Sequence, residues 1–233
     1  MSETLPLFPL STVLFPGMRL PLNIFEDRYR RMIADLKEGP EPRQFGVVAI
    51  RRGRETGTEN IEGLNSLHEV GCVAAIRNLD ERADGGFEVQ AVGTERFRLL
   101  DLDRSLPYFR GEIERLPDDS GVPETADELE TPPVEPAVQR VQAGFREYLN
   151  ALADRGGGVV AVAELPDEPL LLSYVIAAAM IIDLPDRQAL LAAPDAIARL
   201  KAERSLLARE TAMLRVTTSR PAPDFKFEQF SEN

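Results

Sequence analysis

Apolar and polar positions change their period several times along this chain. Residues 5–22 read as two short extended segments, with Pro16-Gly17 as the turn between them. Pro6, Pro9, Pro16 and Pro21 interrupt this apolar stretch. Proline removes a backbone donor, so the pattern predicts an edge ribbon rather than a central strand. From Phe25 the period becomes helical: Phe25, Tyr29, Met32, Ile33 and Leu36 fall on one stripe. Asn23 is the expected N-cap, Glu26 and Asp27 suit the first turn, and Gly39-Pro40 ends the helix. Phe25 and Tyr29 are then expected as core anchors, a recognition surface being the alternative. Glu26 with Arg30, and Asp27 with Arg31, are expected as surface pairs.

The chain is then rich in strand patterns up to residue 116. Residues 45–50, 69–76, 87–93, 96–102 and 108–116 each read as a strand. The clearest is 87–93, where Phe87, Val89 and Ala91 alternate with Glu88 and Gln90. Residues 51–63 read as a polar hairpin loop and 78–86 as a turn. Short strands with one early helix predict a small, partly open β-barrel.

Beyond residue 136 the period is helical. Val134, Val138, Val141, Phe145, Leu149 and Leu152 form one stripe, stopped by Gly156-Gly157-Gly158. Residues 167–182 are apolar all round, which predicts a helix central to a bundle. A short helix follows the break at Asp183–Pro185, and a long one, with Pro194 at its first position, runs over 194–216. The predicted class is α+β: a barrel subdomain over 1–116, a linker over 117–136, a helical bundle over 137–216 and a tail over 217–233.

Composition adds a charge map. The 233 residues carry a net charge of −12. Seven acidic and no basic side chains fall in 117–136, together with five prolines, so more than half of the imbalance sits in the linker. The flanking blocks are near neutral, which argues against nucleic acid and anionic lipid as partners. The longest apolar run has 13 residues, too short to span a bilayer, so no membrane association is expected. Acidic Glu3 and the prolines also speak against a signal peptide. One cysteine, Cys72, rules out an intramolecular disulfide and fits a reducing cytoplasm.

Candidate chemistry is sparse. His68 is the one histidine, and no His/Cys/Asp cluster has metal-ligand spacing, so no metal and no cofactor is expected. Cys72 lies mid-strand between Val70 and Val73 and reads as a buried structural thiol, and His68 as an edge residue. The chain has no phosphate-cradling G-x-x-x-x-G-K-[ST] loop and no G-x-S-x-G elbow, so no catalytic residue is assigned. Arg51, Arg52 and Arg54 share their loop with Glu55, Glu59 and Glu62, which predicts a solvated loop rather than an anion site. Phe225, Phe227 and Phe230 stand out in an otherwise polar tail and are the candidate polypeptide contacts. They are expected to dock on the barrel's own proline-marked edge, on another copy of the chain or in a client-binding groove, as a structural clamp or as occupants of that groove.

The opening motif carries a resemblance. Leu5-Pro6-Leu7, Pro9-Leu10, Val13 with Phe15-Pro16-Gly17, and Pro21-Leu22-Asn23-Ile24-Phe25-Glu26 with Arg28-Tyr29 closely resemble the start of the Lon protease N-terminal, substrate-binding domain family. "VGCVAAI" and "VGTERFRLL" look like later strands of that family, and residues 165–207 like its C-terminal bundle. The resemblance spans roughly residues 5 to 215. It implies a PUA-like barrel followed by a helical bundle, without the ATPase motor and serine–lysine peptidase that follow in full Lon proteases. It further implies recognition of polypeptide without catalysis, as an adaptor or regulator, with polypeptide clients or a protease or chaperone as partner. An RNA-binding PUA-like module is the alternative function, against which the near-neutral barrel counts.

Overall fold

The computed structural model describes residues 2–51, 61, 63–119, 121, 134–156 and 164–218. Most of the loop over 51–63, most of the linker, Gly157 and Gly158 of the helix stop, and Phe225, Phe227 and Phe230 lie outside the described residues. The fold is α+β. Six strands, β1 (Ser2–Leu10), β2 (Arg19–Ile24), β3 (Gln44–Ala49), β4 (Val70–Glu81), β5 (Phe87–Asp103) and β6 (Arg110–Leu116), form one sheet, with helix α1 (Asp27–Glu38) between β2 and β3. The order is β2-β5-β4-β3-β1-β6, and β5 also pairs with β6. Five strands therefore close a ring, and β2 lies outside it, paired to β5 alone among the described residues.

The expected edge placement holds for β2, which carries Pro21, but not for β1. β1 lies inside the sheet order, but it changes partner midway. Residues 2–6 pair with β6 and residues 7–10 pair with β3, so each half has one neighbour. The Ile50 amide donates to the Leu10 carbonyl and the Leu7 amide to the Phe109 carbonyl. Successive residues of a strand aim their backbone groups to opposite sides, so Pro9 points away from β3. Just before β2, the Gly93 amide of β5 donates to the Met18 carbonyl. Counting in twos from there, residues 20, 22 and 24 face β5, and Pro21 faces outward. Pro9 and Pro21 thus stand where a missing N–H removes no ladder bond.

Three further readings of the barrel change. β4 runs on to Glu81, through part of the expected turn. The segments 87–93 and 96–102 are one bent strand, β5. The bend lies at Gly93, where a Cβ would stand 2.3 Å from the Phe15 carbonyl oxygen. Its register with β4 shifts there, between Cys72 and Ala74. On α1, Asp27 pairs with Arg30 and Asp35 with Arg31, while Glu26 holds Arg28 at 2.9 Å. Cys72 is fully buried, and burial pushes its thiol pKa up, as a structural role requires. Burial and the Arg51 charge lower the pKa of half-buried His68.

Four helices follow: α2 (Val134–Gly156), α3 (Pro169–Ala179), α4 (Leu184–Leu191) and α5 (Ala196–Thr218). Val138, Val141 and Phe145 of α2 pack with Leu172 and Ile176 of α3 and Leu200 and Leu207 of α5. α5 starts later than its sequence suggests. Asp195, not Pro194, sets its first turn, the side chain accepting from the Ala198 amide at 2.7 Å. Nor is α3 buried all round, since Leu171 and Val175 are exposed on one stripe. Its other face supplies Tyr174 and Ala177 to a core shared with Val13, Phe15 and Ala49 of the barrel and Leu190 and Leu191 of α4.

Glu203 of α5 is fully buried and neither carboxylate oxygen has a hydrogen-bond partner. Burial raises its pKa well above the usual carboxylate range, against the pull of the Arg199 charge one turn earlier. The folded state then resists an ionisation that the unfolded chain undergoes near pH 4.3. Stability from this group is complete below that pH and falls as pH rises toward the folded-state pKa. Glu203→Gln is expected to flatten this fall and to raise the unfolding midpoint at pH 8 by about 2–4 °C, the shift for roughly 1 kcal/mol. Thermal unfolding at pH 5 and pH 8 checks it, and an unaltered pH dependence would contradict it.

Candidate functional site

β1 and β2 converge on α1 without pairing, and an apolar cleft of about 200 Å³ lies there. One wall is Phe8, Pro9 and Leu10 of β1; the other is Leu22, Asn23 and Ile24 of β2, with Phe25, Glu26 and Tyr29 completing it. Phe8 stacks on Tyr29, ring centroids 4.1 Å apart, and Phe45 tilts against Phe8 at 6.0 Å. The Arg28 guanidinium lies 4.3 Å from the Tyr29 ring centre and is paired with Glu26. The rim charge next to Phe25 is therefore neutralised, and the lining of the cleft is mainly apolar.

Tyr29 is buried, as expected, but Phe25 is 66% exposed. The helical stripe does not extend back to it. α1 begins at Asp27, and its N-cap is Glu26, in extended backbone, not Asn23. Ile24 ends β2 facing the core, so the next extended residue, Phe25, faces out. A large aromatic ring is left in water beside a cleft whose other rings are covered. Single exposed leucines are ordinary, whereas an exposed phenylalanine at an apolar cleft is the pattern of an interaction surface.

In a second core of the barrel, Gly46 of β3 and Gly71 of β4 make room for a large ring. Phe97 is fully buried, and its ring lies within about 3 Å of where Cβ atoms on Gly46 and Gly71 would stand. The bundle is held to the barrel by Arg96, next to Phe97 on β5. It is 2% exposed. Its Nη1 donates to the Leu191 carbonyl at 3.1 Å and the Ala193 carbonyl at 2.6 Å, its Nη2 to the Pro117 carbonyl, and its Nε to Asp118. Asp118 also accepts from the Tyr174 hydroxyl at 2.5 Å, and the Asp119 carbonyl accepts from the Ala196 amide. From the bundle side, Arg199 donates from Nε to the Leu190 carbonyl and from Nη1 to Ser173 Oγ. Two buried arginines thus satisfy the last carbonyls of α4 and its exit. The first residues of the acidic segment are part of this tie, although their composition reads as solvated linker. Strand alternation gives no signal for Arg96, because its partners lie in another part of the chain.

Among the described residues no group of His, Cys, Asp and Glu is placed to hold a metal ion, and no helix is long and apolar enough to cross a membrane.

The family model for the substrate-binding domain of ATP-dependent protease La (LON) matches residues 4–209. Lon protease of Anaeromyxobacter dehalogenans is 28% identical over 215 residues, covering 91% of this chain and 24% of that protein. Lon protease 2 of Syntrophobacter fumaroxidans is 26% identical over 200 residues, covering 85% of this chain and 23% of that protein. The chain spans about a quarter of the length of these curated relatives. Two solved structures share the fold. The Lon N-terminal domain protein from Xanthomonas campestris has a TM-score of 0.58 at 24% identity, covering 88% of this chain and 98% of its own. The N-terminal domain of the Mycobacterium avium complex Lon protease has a TM-score of 0.57 at 18% identity, covering 90% and 98%. The motifs that build the cleft, the glycine-backed strands and the bundle lie within one family match, and the chain belongs to the LON substrate-binding domain family.

Proposed function

We propose that the protein recognises polypeptide without acting on it chemically, and that the cleft between β1, β2 and α1 is the contact surface. Exposed Phe25 beside covered aromatic walls is the observation that carries this reading. The occupant is an apolar side chain of an unfolded or partly folded client. Aromatic residues dominate such contacts because they bring large area at low entropy cost. Pro9 and Pro21 aim no N–H into the gap, so side-chain insertion, rather than addition of a full β-strand, is the mode that the backbone favours. On this reading residues 1–116 carry recognition and 137–216 brace it. The chain then serves as an adaptor or regulator, delivering clients to a protease or chaperone or withholding them. Membership of the LON substrate-binding domain family supports this.

Phe25→Ala tests it. Unlike a core substitution, it is expected to leave stability within about 0.5 kcal/mol, the range for surface changes. It is expected to weaken binding of fluorescein-labelled unfolded casein by about tenfold or more, the effect of a contact worth 1.4 kcal/mol or above. Unchanged affinity would refute the assignment of the cleft.

A further inference from the structure

A second groove, of about 460 Å³, lies where the barrel meets the bundle, lined by Ser11, Met18, Ala179, Ile181, Leu184 and Arg187 among others. Ile181 is 72% exposed there. Arg187 is the cation of this groove. Its Nη1 donates to the Met180 carbonyl at 3.1 Å and its Nη2 to the Val13 carbonyl, while its buried Nε has no hydrogen-bond partner. Among the described residues no carboxylate pairs with it. The groove therefore suits an occupant that combines apolar side chains with an acid.

Such a segment lies in the same chain. α5 reaches this region, since Leu214 and Glu210 line one cavity with Ile181, Tyr148 and Leu152. Fifteen residues follow Thr218, and within them "PDFKFEQF" sets Asp224 and Glu228 on either side of Phe225 and Phe227. Phe225 is the seventh residue after Thr218 and Phe230 the twelfth. Extended chain covers that in roughly 25 and 40 Å, ample to return from the last turns of α5 to Ile181 and onward to Met18. We propose that residues 221–233 dock into the barrel–bundle groove of their own chain, Phe225 and Phe227 covering Ile181 and Met18 and a flanking carboxylate pairing with Arg187. The same segment would otherwise leave three phenylalanines and the groove's apolar lining in water.

The site is tested in the full chain without any client. Gln229→Cys gives a labelling position, because the native thiol of Cys72 is fully buried. A nitroxide at residue 229 is expected to broaden the methyl signals of Met18, Ile181, Ile182 and Leu184 within the same molecule. Phe225→Ala/Phe227→Ala/Phe230→Ala is expected to abolish that broadening. The proposal is overturned by no broadening, by broadening centred on the Phe25 cleft or elsewhere, or by broadening that survives the triple substitution. It is also overturned if the effect appears only between labelled and unlabelled copies in a mixed sample. These readouts do not involve client binding, so they stand or fall apart from the cleft.

Discussion

Arg96→Ala is expected to lower the free energy of unfolding by about 3–5 kcal/mol, the range for breaking a buried charged network. Four hydrogen bonds leave with the guanidinium, and they join pieces far apart in sequence: β5, the exit of β6 at Pro117 and Asp118, and the end of α4. Asp118 keeps the Tyr174 hydroxyl but loses its cation, and the carbonyls of Leu191 and Ala193 lose their buried donor. The unfolding midpoint should fall by about 10 °C, at a few degrees per kcal/mol for a chain of this size. Arg96→Lys should recover only part of this, because an ammonium cannot reproduce the planar fork that reaches four acceptors. Chemical denaturation of the three proteins checks it. A loss below about 1 kcal/mol in Arg96→Ala would show that the other barrel–bundle contacts hold the two together without it.

Phe97→Ala is expected to have a comparable effect, about 3–5 kcal/mol, as for other fully buried aromatic residues. The ring occupies space that Gly46 and Gly71 leave by having no Cβ, so neither strand can close over the cavity without a shift of the sheet. The converse change supports the same geometry. Gly71→Ala would place a Cβ 2.5 Å from the Val47 carbonyl oxygen and 2.4 Å from the Phe97 ring, and a backbone atom cannot rotate away. Calorimetry on Phe97→Ala distinguishes the outcomes, and a change under about 1 kcal/mol would mean that the ring is not the keystone of this core.

Much of the fold was legible because it rests on local periods. The alternation of Phe87, Val89 and Ala91 with Glu88 and Gln90 is kept in β5, and Val138, Val141 and Phe145 do form the buried stripe of α2. The features missed depend on partners remote in sequence or on one residue of phase. Pro6 and Pro9 implied an edge, but the strand has one neighbour per half, a matter of which strand reaches which end of the ring. Phe25 fits a helical stripe by spacing, yet the helix starts two residues later, which turns the ring outward. Leu171 and Val175 look like core by composition, but α3 has only two faces covered, one by the bundle and one by the barrel. Arg96 and Asp118 lie 22 residues apart, and the carbonyls that Arg96 caps are 95 and 97 residues away. The cleft itself was half visible: its residues are those of the opening motif, but whether Phe25 is core or contact turned on the start of one helix.

The proposed uptake of polypeptide by the β1–β2–α1 cleft is read from a two-dimensional amide spectrum of the isotope-labelled chain, recorded while unfolded casein is added. The expected result is that shifts and broadening concentrate on Phe8, Leu10 and Leu22–Glu26 and are lost in Phe25→Ala, with the remaining spectrum unmoved. Changes confined to the Leu171–Val175 face of α3, or no change at casein concentrations that saturate binding by anisotropy, would contradict it.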